Sequence, residues 1–202
     1  MKIDFKKELL AYKAKHNVFD TVDIGPMQYL MIDGHGRPDS EDYMDAVTTL
    51  YPVAYTLKFM SKLDLDKDYV VPPLEGLWWA EDMTAYTQNR KDEWDWTMMI
   101  MVPDWITGDM LASAVDKVAA KKNPPSLGKI RLESLDEGLC VQLLHIGSYS
   151  DEGPILKQLH DEYIPQNGLK MTGKHHEIYL SDPRKVAEEK LKTILRQPVT
   201  RA

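Results

Sequence analysis

Residues 27–34 read MQYLMIDG and residues 140–147 read CVQLLHIG. Each is a short apolar run stopped by glycine, which predicts a strand. Each is followed by a helical pattern. After the first, Tyr43, Val47, Leu50, Ala54 and Leu57 recur near the period of a buried helix face, so a helix is expected over about 40–62 with Asp39 or Ser40 as its cap. Pro52 lies inside it and, lacking an N–H, should kink or interrupt it. After the second run, Pro154 opens a helix reaching about Tyr163.

The pattern continues in both halves. Residues 74–80 (LEGLWWA) and 94–102 (WDWTMMIMV) read as strands, joined by the polar stretch from Glu81 to Asp92, and a helix over about 108–121 follows with Thr107 as its cap. In the second half, residues 175–181 read as a strand. Asp182 and Pro183 predict a last helix carrying Ala187, Leu191 and Leu195 on one face. Residues 122–129 (KNPPSLGK) read as a linker, and residues 1–21 as an arm with a short helix over 4–15. The order strand, helix, strands, helix thus occurs twice, over about 22–121 and 130–199, as a repeat of pattern with little identity. The expected class is α+β in a single domain spanning 1–202. Two such units packed with pseudo-twofold symmetry would leave a central ligand cleft between antiparallel sheets.

Composition narrows the function. The net charge of −7 argues against a protein that tracks nucleic-acid phosphates and favours cationic or neutral ligands. No apolar run approaches the ~20 residues of a membrane span, and the start, MKIDFKKELL, has no cleavage-type segment. Cys140 is the single cysteine, lies in an apolar run and suits a reducing cytosol, so a cytoplasmic location without membrane attachment is expected. Trp, Tyr and Met are abundant (5, 10 and 11) against 3 Phe, a set that combines apolar surface with polar handles and adaptable shape, as a ligand cavity requires.

Side chains alternate across a strand. In HHEIYL (175–180), His175, Glu177 and Tyr179 share one face and His176, Ile178 and Leu180 the other. The aliphatic face is expected to meet the helices, which turns Glu177 toward the open side as a carboxylate beside an aromatic ring. Such a group offsets a ligand's positive charge or accepts a proton from water. In LEGLWW, Trp78 and Trp79 point to opposite faces, and alternation leaves open which one lines the cleft; Glu75 shares a face with Trp79. Either Trp would stack a flat ligand. Tyr51, Tyr55 and Phe59 form a helical stripe that reads mainly as core, with Tyr55 kept as a ligand candidate. Tyr149 and Trp105, each just past a strand, are rim candidates.

Other chemistries are not supported. Gly34-His35-Gly36 precedes a helix, but Asp39 stands where the third glycine of a dinucleotide fingerprint belongs. His175-His176-Glu177 is not HExxH, and no GxSxG elbow occurs. No cofactor and no metal are expected.

Four segments carry a family resemblance: DGHGRPDSEDYMDAVTTLYPVAYTLKF (33–59), PLEGLWWAED (73–82), WDWTMMIMVPDWIT (94–107) and HHEIYLSDPRKVAEEKLKTILRQPV (175–199). With them the chain, from about Asp23 to Val199, resembles the stand-alone GyrI-like small-molecule-binding family. The resemblance implies a tandem pair of strand–helix–strand–strand modules around a central cleft. Related domains are effector-binding halves of multidrug-sensing transcription regulators, in which a cleft carboxylate meets cationic aromatic drugs. No DNA-binding module is fused to this chain, so a regulator role is not expected. Other members hydrolyse cyclopropane-containing DNA-alkylating compounds. The carboxylate of the EIYLSDP motif falls on Glu177, and the LEGLWW aromatics on Trp78 and Trp79.

The expectation is therefore a hydrolase of cyclopropane-containing genotoxic compounds. Glu177 would be the base or water-orienting carboxylate, and Tyr149 would hydrogen-bond the carbonyl where charge develops. Trp78, Trp79, Glu75, Tyr179, Tyr55, Trp105 and His175 would contact an aromatic or cationic small molecule. The alternative is a non-catalytic multidrug-binding protein that sequesters such compounds. Inhibition of a macromolecular partner such as gyrase, suggested by the family name alone, ranks last. Oligomeric state is left open.

Overall fold

The computed structural model describes residues 2–82 and 90–202, so part of the stretch from Glu81 to Asp92 lies outside the described residues. In chain order the elements are β1 (Lys2–Ile3), α1 (Phe5–Glu8), β2 (Asp20–Ile24), β3 (Met27–His35), α2 (Glu41–Asp64), β4 (Asp68–Tyr69), β5 (Leu74–Trp79), β6 (Asp95–Met101), α3 (Gly108–Ala119), β7 (Arg131–Leu135) and β8 (Gly138–Ile146). A helical run follows: α4 (Gly153–Lys157), a π turn (Gln158–Tyr163) and α5 (Ile164–Gln166). The chain ends in β9 (Leu169–Met171), β10 (His175–Tyr179) and β11 (Lys192–Arg201). The fold is α+β with antiparallel sheets. Contacts divide it into unit 1, Met1–Glu8 with Met27–Leu135, and unit 2, Leu9–Pro26 with Asp136–Ala202. Strand β7 thus belongs with the first unit, and much of the N-terminal arm with the second.

In unit 1 the strands run β5–β6–β3–β7, all antiparallel. The register puts Leu30, Ile32, Met98, Ile100 and Trp96 on one face with Trp78. Helix α2 covers that face: Tyr43 stacks on Trp78 at 6.1 Å and meets the edge of Trp96 at 5.5 Å. Ser40 caps α2 by accepting from the Tyr43 N–H, and Thr107 caps α3 through Met110. Pro52 does not interrupt α2, which continues to Asp64. Buried Leu50, Val53, Ala54 and Leu57 pack the helix on both sides of the missing donor, and tertiary packing outweighs one lost bond.

Gly34 shows how tightly this face is filled. A Cβ there would lie 2.1 Å from the Trp96 ring, which is fully buried and cannot retreat. Gly34→Ala is expected to lower stability by about 3 kcal/mol, at the upper end of overpacking effects. Urea denaturation checks this, and an unchanged midpoint would mean that the ring has room to move.

Unit 2 has the strand order β2–β8–β11–β10, again antiparallel, with β9 pairing the end of β11. Each unit contains a strand–helix–strand–strand run, β3-α2-β5-β6 and β8-α4/α5-β10-β11, with its third strand between the first and second. The helix expected after Pro183 is not there. Asp182 accepts from the Arg184 N–H and closes a turn, a 3-10 turn spans Glu188–Lys190, and the chain then enters β11. Leu191 and Leu195, four apart, satisfy a strand's period of two as well as a helix's. Ladder partners on both sides, with continuous burial from Thr193 to Val199, decide for the strand.

The helical run of unit 2 packs Leu159 and Ile164 onto Val141, Leu143, Leu195 and Val199. Leu195 lies opposite both Leu143 and Glu177. The helices therefore cover the Glu177 face, and the expectation that they meet the Ile178 face is overturned. That other face is closed by the chain segment before β2. Arg196 donates to the Ala11 carbonyl, and Gln142 donates to the Lys13 carbonyl at 2.9 Å. No helix among the described residues is long and apolar enough to cross a membrane.

Candidate functional site

Strand β10 holds the centre of the site in unit 2. The Tyr179 hydroxyl donates to Glu177 Oε2 at 2.7 Å, two residues apart on one strand face. His175, on the same face, places Nε2 3.5 Å from Glu177 Oε1 without hydrogen-bond alignment. The Tyr149 ring, just past β8, meets the edge of Tyr179 at 5.7 Å. Alternation and topology thus bring together Glu177, Tyr179, His175 and Tyr149. The Glu177 side chain keeps 16% of its surface, enough to meet a small molecule or water.

Two further groups enter from the helical side. Glu152 immediately precedes α4 and is buried. Burial first, and the negative charge of Glu177 second, push its carboxyl up to about 10. Glu152 therefore holds its proton at neutral pH beside Glu177, and its Oε1 has no hydrogen-bond partner among the described residues. His160, in the π turn, meets His175 in a T-shaped arrangement with centroids 6.1 Å apart. Burial and then the neighbouring His175 lower its pKa to about 4, so His160 is neutral. Sequence reasoning missed both. An acidic residue before Pro154 reads as ordinary helix-start chemistry, and only packing of the helix on β10 and β11 makes it a partner of Glu177.

A proton-holding Glu152 has a thermodynamic signature. Its folded pKa lies above the unfolded value near 4.5, so both states are protonated below that pH. As pH rises further the unfolded chain releases the proton and the folded chain keeps it. Stability from this group falls by about 1.4 kcal/mol per pH unit until the folded carboxyl also ionises. Glu152→Gln removes the slope. Its stability relative to the parent should rise from pH 5 to pH 8, read by urea denaturation at both. An offset equal at both pH values would show Glu152 ionised in the folded protein.

In unit 1 the two tryptophans separate. Trp78 is buried between Tyr43 and Trp94, with ring distances of 6.1 and 5.8 Å, in the packing against α2. Trp79 lies opposite Asp95 on the sheet face away from α2 and shares that face with Glu75. Trp105 donates from Nε1 to Ser61 Oγ at 2.9 Å, and its ring packs with Phe5 and Tyr69. Tyr55 stands half-exposed on the outward side of α2. Neither joins the Trp79 face. Among the described residues, no three His, Cys, Asp or Glu side chains are grouped to hold a metal ion.

The sequence profile of the GyrI-like small molecule binding domain matches residues 19–200. Among solved structures, an uncharacterized conserved protein from Listeria innocua is 42% identical with a TM-score of 0.90, over 98% of this chain and 100% of its own. Two structures of hydrolases from Listeria innocua are each 41% identical, with TM-scores of 0.85 and 0.88, over 98% and 99% of this chain and 100% of theirs. No curated protein matches the chain.

Proposed function

Since the chain belongs to the GyrI-like small-molecule-binding family, we propose that it hydrolyses its ligand, and that the ligand is a cyclopropane-containing, DNA-alkylating compound. The observation that carries the reading is the carboxyl pair. Glu152 is driven to hold a proton by burial and by the charge of Glu177. A buried carboxyl that keeps its proton, next to a second glutamate, can supply an acid and a base together. The hydrolases among the structural relatives support the same class of chemistry.

In this reading Glu177 takes a proton from water as the water oxygen bonds to a ring carbon. The strained carbon–carbon bond breaks, and its electron pair passes into the conjugated carbonyl. Glu152 returns a proton to that oxygen, so one water is added overall. Tyr179 is bonded to Oε2, so the water would approach Oε1, beside His175 Nε2 at 3.5 Å. Tyr149 at the rim would hydrogen-bond the carbonyl as charge develops. Ring strain supplies part of the driving force, so a small catalytic set suffices. Trp79, partly buried on the face of the unit 1 sheet away from α2, offers a ring on which a flat molecule could stack, while Glu75 on the same face is buried.

The test is incubation with a cyclopropane-bearing alkylator, with ring-opened product followed by mass spectrometry. Product forming faster than in buffer supports the reading. Binding without product, confined to cationic ligands, would instead assign Glu177 as a counter-charge and the protein to sequestration.

A further inference from the structure

We propose that two copies of this chain associate through the outer face of α2, packed antiparallel about a twofold axis beside Tyr51 and Pro52. The inward face of the helix is already occupied by Ala46, Leu50, Val53, Ala54 and Leu57, all buried. The outward face is nevertheless not a solvated polar one. Met44, Tyr55 and Phe59 are 51%, 50% and 51% exposed in line along it, and a lone helix face that needs no partner has no use for them.

The order of residues in the stripe selects the occupant. Glu41, Met44, Thr48, Tyr55, Phe59 and Lys62 are all exposed, and they follow one another at steps of three, four, seven, four and three residues. Those steps keep all six in one narrow band of the helix. The spacing is the same read from either end, and the chemistry is complementary read from opposite ends. Turned antiparallel onto a second copy, Glu41 meets Lys62, Met44 meets Phe59 and Thr48 meets Tyr55. By symmetry every contact is made twice. An unrelated partner would need a complementary surface but would impose no such palindrome on this one.

The charges agree with the arrangement. The N-terminal half of α2 is acidic, with Glu41, Asp42 and Asp45, and the C-terminal half carries exposed Lys62 and buried Lys58, with Asp64 the one acid there. Lys62 reaches Asp68 at 3.5 Å, a contact that Lys58 already makes at 3.1 Å, so Lys62 can turn to a new carboxylate without stranding Asp68. Antiparallel packing also sets each helix N-terminus beside the opposite C-terminus, which the helix dipoles favour. The helix is roughly 36 Å long. A pair of such helices falls at the low end of specific interface sizes, so a dimer of micromolar affinity is expected.

Sedimentation velocity of the full chain from low to high micromolar concentration tests this, with circular dichroism as the check on folding. The parent should shift to a dimer with concentration. Phe59→Glu should weaken the dimer about tenfold or more, because the new charge would sit against Met44 of the other copy. Glu41→Lys and Lys62→Glu should each weaken it, and the two together should restore it, since the exchanged charges pair again across the axis. The residues are exposed, so these variants should fold. If Phe59→Glu nevertheless unfolds, the charge exchange decides alone. A parent that stays monomeric, a dimer indifferent to these changes, or a double variant no tighter than the single ones would overturn the proposal.

Discussion

Glu177→Gln is expected to lower turnover of a cyclopropane substrate by about 10²–10⁴-fold, the range supplied by a positioned general base. Quenching of Trp fluorescence by a neutral aromatic ligand should persist. Glutamine has the same shape and its amide oxygen still accepts from Tyr179, so the local geometry survives while the base is lost. The variant also removes the charge that helps raise Glu152. Burial is the larger cause of that shift and is untouched, so Glu152 keeps its proton and the acid remains in place. The loss therefore reports on the base. Groups that act as one unit are not additive, so adding Glu152→Gln should lower the rate by much less than the product of the two single effects. If turnover survives in Glu177→Gln, the base is wrongly assigned. If affinity for cations alone disappears, the carboxylate serves binding.

The parts of the fold legible in the sequence are those with a strong local signal. Strands β3, β5, β6, β8 and β10 are apolar runs with clear ends, α2 starts at Ser40, one of the two caps its sequence offers, and α3 at Thr107. Strand β11 was not legible. Thr193, Arg196 and Gln197 are buried in it, so neither alternation nor an unbroken apolar run marks it, and the lysines and glutamates before it mimic a helix surface. Strands β2 and β7 are short, mixed in polarity and end their units' sheets, where one side makes no ladder bonds among the described residues to pattern the sequence. At the site, alternation shows which residues share a face with Glu177 but not what covers that face. Ile178 suggested an apolar contact with helices. Its face in fact holds a buried ion network whose members lie far apart in sequence, and burial of that network is a property of the fold alone.

That network yields the second large effect. Arg196 and His176 are fully buried, and Glu137 lies between them, accepting from Arg196 Nη1 at 2.6 Å and meeting His176 Nδ1 at 3.0 Å. Arg196 also donates to Gln142 at 3.0 Å and to the Ala11 carbonyl, which ties the N-terminal segment to the centre of the sheet. Burial alone would raise the Glu137 carboxyl, but the attraction of His176 and Arg196 outweighs it and holds the group at about 2. Glu137→Gln leaves Arg196 buried without its counter-ion, and breaking one member of a buried pair costs about 3–5 kcal/mol. Urea denaturation near pH 7 should show that loss. The folded pKa here is depressed, so the stabilisation is fully present above the unfolded value near 4.5 and is lost as pH falls toward 2. The gap between parent and variant should therefore shrink below about pH 5, because the unfolded parent's carboxyl takes up a proton there that the folded one does not. Glu137 lies on the sheet face opposite Glu177, so turnover per folded molecule should not change. A gap that stays constant down to pH 3 would mean that shape, and not charge, is what Glu137 contributes.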